Sequence, residues 1–374
     1  MTAADPIDLS IGDPGYAPPE AAVAAAARGV VRGLGGYAPR GGLTGLRRDL
    51  ADRLNARNAI AATPEQVVVT SGASLAIFAT LATLCRPGDR VLLPDPGFPL
   101  YRLAATTLRL RVLRYPLQGP AAGYQPDWTA LRELAAQARI LLWNYPSNPL
   151  GAVCRPEWLP PLFAIVERVP DLVLLCDEVY EDLCLDGDHA GAAGAAGELA
   201  DRTVSVFSFS KTFGMAAWRV GYLHAQPAWA ARIAQAHWGM AMSTSTAAQL
   251  AARAALRAPA GYLAEQRAFL RANRDHAVAR LRAAGLPCDT PAAGFFAWPQ
   301  VGLDAAAFAE GAAAEAGVLV SCGDDFGPSG RGHVRLNYAV PPERLDTGLT
   351  ALAGWLRDRP GRSAPAVIGA PREA

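Results

Sequence analysis

Between residues 65 and 240 the sequence repeats one pattern: a short apolar run, a turn rich in Gly, Pro, Ser or Asn, then a stretch compatible with a helix. The runs occupy residues 66–70, 90–93, 140–143, 172–176 and 203–207. They lack the regular apolar–polar alternation of a strand with one wet face, so they read as strands covered on both faces. With helices expected over 74–84 and 158–169, the pattern predicts an α/β fold: a mostly parallel central sheet flanked by helices.

The character changes after residue 250. A long helix rich in Arg and Ala is expected over 262–284, strands over 294–298 and 334–338, a helix between them at 305–316 and a last helix over 342–356. This describes a smaller α+β lobe, and 374 residues with 51% hydrophobic content suffice to bury two lobes. The expected organisation is an N-terminal segment, 1–30, joining the small domain; a large domain, 31–250; the small domain, 251–357; and a flexible tail, 358–374.

Ligands of open α/β sheets sit beyond the carboxyl ends of the strands. The polar residues follow that geometry: 71–74 after the first run, 95–98 after the second, 144–148 after the third, Asp177 after the fourth and 208–211 after the fifth. Five strand ends therefore deliver their loops to one cleft.

Lys211, in the last of these loops, is the only lysine in a chain whose other basic residues are arginine and histidine. A lone lysine is by default a solvated surface residue. Here its neighbours favour another use. A primary amine can lose its proton and attack an aldehyde, which a guanidinium cannot do. Around it an anion site and a ring-nitrogen partner can be assembled, and together they suit pyridoxal 5'-phosphate (PLP) held as a Schiff base. Residues 71–74, Ser-Gly-Ala-Ser, stand where backbone amides at a helix start receive a phosphate, although an ordinary helix cap fits that segment equally well. Ser208 and Arg219 can add a hydroxyl and a guanidinium. Asp177 ends a nearly all-apolar run, where a carboxylate needs a proton-bearing partner such as the pyridine nitrogen; the alternative is an exposed strand-end acid. Asn148 and Tyr180 can flank the phenolic oxygen, and Phe98 either stacks on the ring or simply packs. Arg335, inside the run Val334-Arg335-Leu336-Asn337-Tyr338, is either half of an interface pair or a fork for a substrate carboxylate, and the second use is favoured.

The remaining features narrow the function by exclusion. A net charge of +1 without Lys/Arg tracts speaks against a nucleic acid or an anionic membrane as partner. No apolar run approaches the ~20 residues that cross a bilayer, and Asp5 and Asp8 with no basic flank do not resemble an export signal. A cytoplasmic protein is expected. Six scattered cysteines without CxxC pairing read as buried or semi-buried thiols, and neither they nor the five scattered histidines call for a metal.

Four motifs carry a resemblance over about residues 9–355. They are Ser208-Phe209-Ser210-Lys211-Thr212-Phe213-Gly214 followed by Trp218-Arg219-Val220-Gly221-Tyr222; Asn144-Tyr145-Pro146-Ser147-Asn148-Pro149-Leu150-Gly151; Asp177-Glu178-Val179-Tyr180; and the run around Arg335. In that order, the chain resembles the class I/II aminotransferases of PLP fold type I. The resemblance implies that Lys211 forms the internal aldimine and moves the proton. Asp177 would pair with the ring nitrogen, and Asn148 and Tyr180 would contact the phenolic oxygen. Ala73 through its amide, Ser74, Ser208 and Arg219 would hold the phosphate, Phe98 would stack on the ring, and Arg335, with Gly12 and Asn148 nearby, would meet the substrate. It also implies a homodimer in which Tyr37 reaches the phosphate of the other subunit. The expected activity is ping-pong transfer of an amino group from an L-amino acid to a 2-oxo acid; the alternative is a PLP-dependent lyase, substitution or cyclisation enzyme.

Three departures from the family pattern stand out. Leu150 replaces the usual threonine of an Asn-Pro-Thr-Gly turn, the loop 12–16 lacks the usual acid after its proline, and little N-terminal arm precedes that loop. A PLP-binding regulator is set aside because about ten residues before the first motif leave no room for a DNA-binding domain. Residues 235–246 offer no convincing second arginine for a dicarboxylate. His237, Trp238, Met240 and Met242 there suit a neutral or aromatic side chain, or else pack between lobes.

Overall fold

The computed structural model describes residues 5–31, 36–302 and 304–358. The expected tail, 358–374, lies outside the described residues except for its first position. Twelve strands are formed among the described residues: β1 (Ile7–Asp8), β2 (Val67–Thr70), β3 (Arg90–Asp95), β4 (Arg111–Pro116), β5 (Ile140–Asn144), β6 (Val173–Asp177), β7 (Thr203–Ser208), β8 (Gly221–His224), β9 (Phe296–Ala297), β10 (Val318–Leu319), β11 (Ser321–Cys322) and β12 (Val334–Asn337). The α-helices are α1 (Glu20–Val31), α2 (Thr44–Arg57), α3 (Ala73–Leu84), α4 (Pro99–Thr107), α5 (Trp128–Ala135), α6 (Leu159–Arg168), α7 (Phe209–Thr212), α8 (Pro227–Ala241), α9 (Thr246–Ala255), α10 (Ala260–Ala283), α11 (Ala305–Glu315) and α12 (Pro342–Asp358).

Seven strands form the central sheet in the order β2-β8-β7-β6-β5-β3-β4. All neighbours are parallel except β8, which runs antiparallel to both β2 and β7. Each of the five apolar runs became a strand of this sheet. The two strands that no apolar run announced are β4 and β8. Arg-Val-Leu-Arg-Tyr-Pro of β4 lies at the sheet edge and leaves Arg111 exposed, so it never needed a continuous apolar signal. Gly-Tyr-Leu-His of β8 is short and opens on a glycine.

Burial explains the absence of alternation. Successive side chains on a strand point to opposite faces. Leu92, Leu141, Trp143, Leu174 and Cys176 join the core on one face, with Leu131 of α5 and Leu162 of α6. Val91, Leu93, Ile140, Leu142, Val173 and Leu175 join the core on the other, with Ile77 of α3 and Ile233 of α8. Both faces are therefore dry, which accounts for the apolar run along β3, β5 and β6, while β7 buries Thr203 and Ser205 among its apolar positions.

A further core gathers α10, α11 and α12 around the antiparallel sheet β11-β12-β9 and includes Tyr180 and Leu183 from the central-sheet side. β1 pairs in parallel with β10, Ile7 opposite Val318, so the chain start lies against this body, and Leu9 is buried in its core. α1 instead packs its Ala22 and Ala26 into a core with α2 and α9. No helix among the described residues is long and apolar enough to cross a membrane.

Candidate active site

The carboxyl ends of β5, β6 and β7, the start of α3 and the strand β12 enclose a cavity of about 180 Å³. Gly12, Ala73, Ser74, Phe98, Asn148, Asp177, Tyr180, Ser208, Lys211, Arg219 and Arg335 all line it. Tyr37 does not. It stands exposed elsewhere, its ring edge-on to Trp238 at 6.5 Å between centroids.

Lys211 sits in the one-turn helix α7, whose first amides are organised by Ser208: its Oγ accepts from the Ser210 amide at 3.1 Å. The lysine Nζ donates to the carbonyl of Gly12 and stands 5.6 Å from the centre of the Phe295 ring. Burial disfavours the ammonium and lowers its pKa to about 8; Asp13 opposes the shift, while Arg335 and Arg219 reinforce it. A group that ordinarily stays charged is thus close to having a neutral, nucleophilic form near pH 7.

Asp177 closes β6 and is 3% exposed. Its Oδ2 accepts from the Tyr101 hydroxyl at 2.6 Å and its Oδ1 from the Val179 amide at 3.3 Å, and no cation forms an ion pair with it among the described residues. Burial raises its pKa to about 6 against those two hydrogen bonds and the pull of Lys211. Tyr101 was not singled out from the sequence. The signal was its spacing three residues after Phe98, one turn along α4, which brings the two rings edge-on at 5.6 Å.

The start of α3 is shaped by what is missing. Its cap, Gly72, has φ +83° and gives no side-chain hydrogen bond, so the helix amides remain available. A Cβ on Gly72 would lie 2.4 Å from Nη2 of Arg219, so the glycine makes room for that guanidinium over the helix start. Arg219 donates to the Ala216 carbonyl at 2.9 Å and forms no ion pair among the described residues. His237 is buried behind this loop and accepts from the Ser71 amide at 3.1 Å. It does not line the cavity, and it packs against the loop before α3 rather than between lobes.

Arg335 is 6% exposed and clamped between aromatic faces, 4.0 Å from the centre of Phe296 and 5.0 Å from that of Phe326. Nη1 donates to Asn148 Oδ1 at 3.0 Å, and Nη2 donates to the Ser10 carbonyl at 2.7 Å and to Ser321 Oγ at 3.3 Å. Nε has no partner, and no carboxylate forms an ion pair with the group among the described residues. Burial lowers its pKa to about 10, with Tyr180 opposing. A buried cation with no anion is costly unless a ligand supplies one. The buried Tyr180 phenol is pushed upward chiefly by its surroundings, while Arg335 and Asn148 act the other way. Phe296 and Tyr16, whose hydroxyl donates to the Lys211 carbonyl, also escaped the sequence reading of the site.

These features fit PLP: an amine near neutrality, an uncapped helix start beside a guanidinium without a carboxylate, and a buried carboxylate without a cation, all facing one cavity. They suit an aldehyde, a phosphate dianion and a protonated ring nitrogen respectively.

Comparison with known proteins agrees. Residues 4–352 match the protein family described as Aminotransferase class I and II. The arginine–pyruvate transaminase AruH of Pseudomonas aeruginosa is 33% identical over 342 residues, covering 90% of this chain and 86% of that protein. The aromatic-amino-acid aminotransferase 2 of Thermococcus litoralis is 31% identical, with 94% and 92% covered. Among solved structures, the aromatic aminotransferase of Pyrococcus horikoshii superposes with a TM-score of 0.89 at 30% identity, covering 95% of this chain and 97% of that one. A Thermus thermophilus aspartate aminotransferase gives 0.86 at 30% identity, with 94% and 92% covered. With its fold and nearly its whole length in common with these enzymes, the chain belongs to the class I and II aminotransferases, PLP-dependent enzymes of fold type I that transfer amino groups between amino acids and 2-oxo acids.

Proposed function

We propose that the cavity around Lys211 binds PLP and is where an L-amino acid exchanges its amino group with a 2-oxo acid in two half-reactions. The observation that carries this reading is a pair of groups without ion-pair partners among the described residues: a buried guanidinium, Arg335, whose Nε has no acceptor, and an amine, Lys211, lowered toward neutrality, on the same cavity. PLP, when bound, supplies the electrophilic carbon and an electron sink for the Cα–H bonding electrons.

The chain's own residues do the rest. Ala73 through its amide, Ser74, Ser208 and Arg219 hold the phosphate, and Asp177 keeps the proton on the ring nitrogen. Asn148 and Tyr180 flank the phenolic oxygen, and Phe98 covers one ring face. Arg335 grips the substrate α-carboxylate, with Gly12 against the substrate, so that the Cα–H bond is aimed at Lys211 Nζ. Lys211 Nζ would take that proton as a general base and give it back, as a general acid, two atoms further along in a 1,3 shift. Lys211→Ala is expected to leave less than about one-thousandth of the turnover. Retention of near-normal amino transfer by that variant, measured as 2-oxo acid formed, overturns the assignment.

The substrate side chain is the finer question, since the named relatives act on arginine with pyruvate, on aromatic amino acids and on aspartate. The cations lining the cavity are Lys211, Arg219 and Arg335, and all three already have tasks. We therefore favour amino acids with neutral side chains. Single-amino-acid additions to the holoenzyme, followed by the visible spectrum, test this; a rapid response confined to aspartate and glutamate refutes it.

We also propose a homodimer, with Tyr37 reaching a neighbouring subunit's phosphate, on the strength of its exposure outside its own chain's cavity. The division into residues 1–30 with 251–357 as the small domain and 31–250 as the large one is supported by the β1–β10 pairing, although α1 packs against α9. All six cysteines are free, which suits the reducing cytoplasm.

A further inference from the structure

Lysine has four rotatable side-chain bonds. A catalytic amine that leaves and re-engages in every half-reaction therefore depends on a fixed backbone to bring it back. α7, which carries Lys211, is a single turn and has little stability of its own. It is held from two sides. Tyr16 donates its hydroxyl to the carbonyl of Lys211, and on the far side Thr212 Oγ1 donates to Asp182 Oδ2 at 2.9 Å, both partners being almost fully buried.

Asp182 is itself immobilised. Arg53 of α2 donates to the same Oδ2 at 2.7 Å, Arg57 faces its other oxygen as an ion pair, and Arg267 of α10 donates to its backbone carbonyl at 2.7 Å. It also lies in the 3₁₀ turn Glu181–Leu183, immediately after Asp177 and Tyr180. The Thr212–Asp182 hydrogen bond therefore ties the segment carrying Asp177 and Tyr180 to the turn carrying the amine, across 30 residues of sequence.

We propose that Asp182, acting through the Thr212 hydroxyl, is a positioning residue that fixes the return point of Lys211 Nζ relative to Asp177. The inference rests on Lys211 being the catalytic amine. Neither Thr212 nor Asp182 lines the cavity, so the effect travels through the backbone of α7.

The test uses Thr212→Val, which keeps the branched shape and removes the hydroxyl, and Thr212→Ser, which keeps the hydroxyl. In the holoenzyme, Thr212→Val is expected to lower kcat by about 10–100-fold, as a misplacement of the order of 1 Å does, with KM for the amino acid within about twofold. Thr212→Ser is expected to restore kcat. In the cofactor-free chain, hydrogen exchange across residues 209–214 is expected to speed up about tenfold in the valine variant and not in the serine variant. Should the valine variant fail to fold, Thr212→Ala takes its place with the same expectations, because Tyr16 still anchors the turn. An unchanged kcat, a serine variant as impaired as the valine, or unchanged exchange each overturns the proposal. Lys211→Ala separates the two levels: if it stays active the underlying reading fails, whereas wild-type behaviour of the Thr212 variants beside an inactive Lys211→Ala sinks only the positioning role.

Discussion

Lys211 and Asp177 are shifted toward each other by the same cause, removal of water. Burial lowers the ammonium to about 8 and raises the carboxyl to about 6. The neutral amine, which attacks the aldehyde, is the form that accumulates as pH rises through 8. The aspartate carboxylate, which the proposed pairing with the ring nitrogen requires, is the form lost as pH falls through 6. Capture of PLP by the cofactor-free protein is accordingly expected to accelerate from pH 6 to a plateau above about 8, and stopped-flow absorbance would read it. A rate that fell over that interval would contradict the assignment of Lys211. Arg335 gives a second expectation. Its planar fork is stacked on Phe296 and held by Asn148 and Ser10, so an ammonium at the same place cannot reproduce the geometry. Arg335→Lys should raise KM for the amino donor by roughly 10–100-fold, the worth of a charged hydrogen bond or so, and steady-state kinetics at several donor concentrations would show it. These residues were legible in the sequence because each is chemically out of place: the only lysine, a carboxylate ending an apolar run, an arginine inside one. Tyr101 was not, since a tyrosine near the start of a helix is unremarkable until its hydroxyl is seen on Asp177, 76 residues away.

At the scale of elements, the site depends on how closely β8, α3 and the turn carrying Arg219 approach one another. Gly72 holds the decisive contact, since a side chain there would meet the Arg219 guanidinium and would also strain a backbone at φ +83°. Gly72→Ala is expected to push Arg219 off the helix start, shortening PLP retention and weakening its affinity about 10–100-fold, with about 1 kcal/mol of stability lost to the backbone conformation. Dialysis followed by cofactor absorbance measures the first effect and thermal unfolding of the cofactor-free protein the second. The strands that face core on both sides announced themselves as apolar runs. β4 and β8 did not, for opposite reasons: β4 is an edge strand that tolerates arginines, and β8 takes its place from its antiparallel neighbours β2 and β7 rather than from its own composition.

At the scale of the whole molecule, several buried ionisable groups outside the cavity set how stability depends on pH. Glu178 is 1% exposed, has one oxygen without a partner, and is raised by burial to about 8 from an ordinary 4.5. Between those values the folded chain keeps a proton that the unfolded chain has released, so stability falls as pH rises. His189 and His224, lowered by burial to about 4, act in the opposite sense, but only up to their ordinary 6.5. The cofactor-free protein should therefore lose about 1–2 kcal/mol between pH 6.5 and 8, seen as a falling Tm, and Glu178→Gln should flatten that fall; an unaltered slope in the variant would show that Glu178 is not its source. The sequence by itself determined the α/β plan and gathered the loops of five strands at one end of the sheet, because hydrophobic periodicity and strand order are written locally along the chain. It also marked Lys211, Asp177, Asn148, Arg219 and Arg335 by their chemistry and spacing. Only the tertiary structure decided that Tyr101 grips Asp177, that Phe296 and Phe326 enclose Arg335, that Asp182 anchors the turn of Lys211, and that Tyr37 stands away from its own chain's cavity. Those contacts join distant segments, and the shifted ionisation of the amine and the carboxylate comes from a loss of solvent that exists only once both faces of the sheet and the small lobe have closed over them.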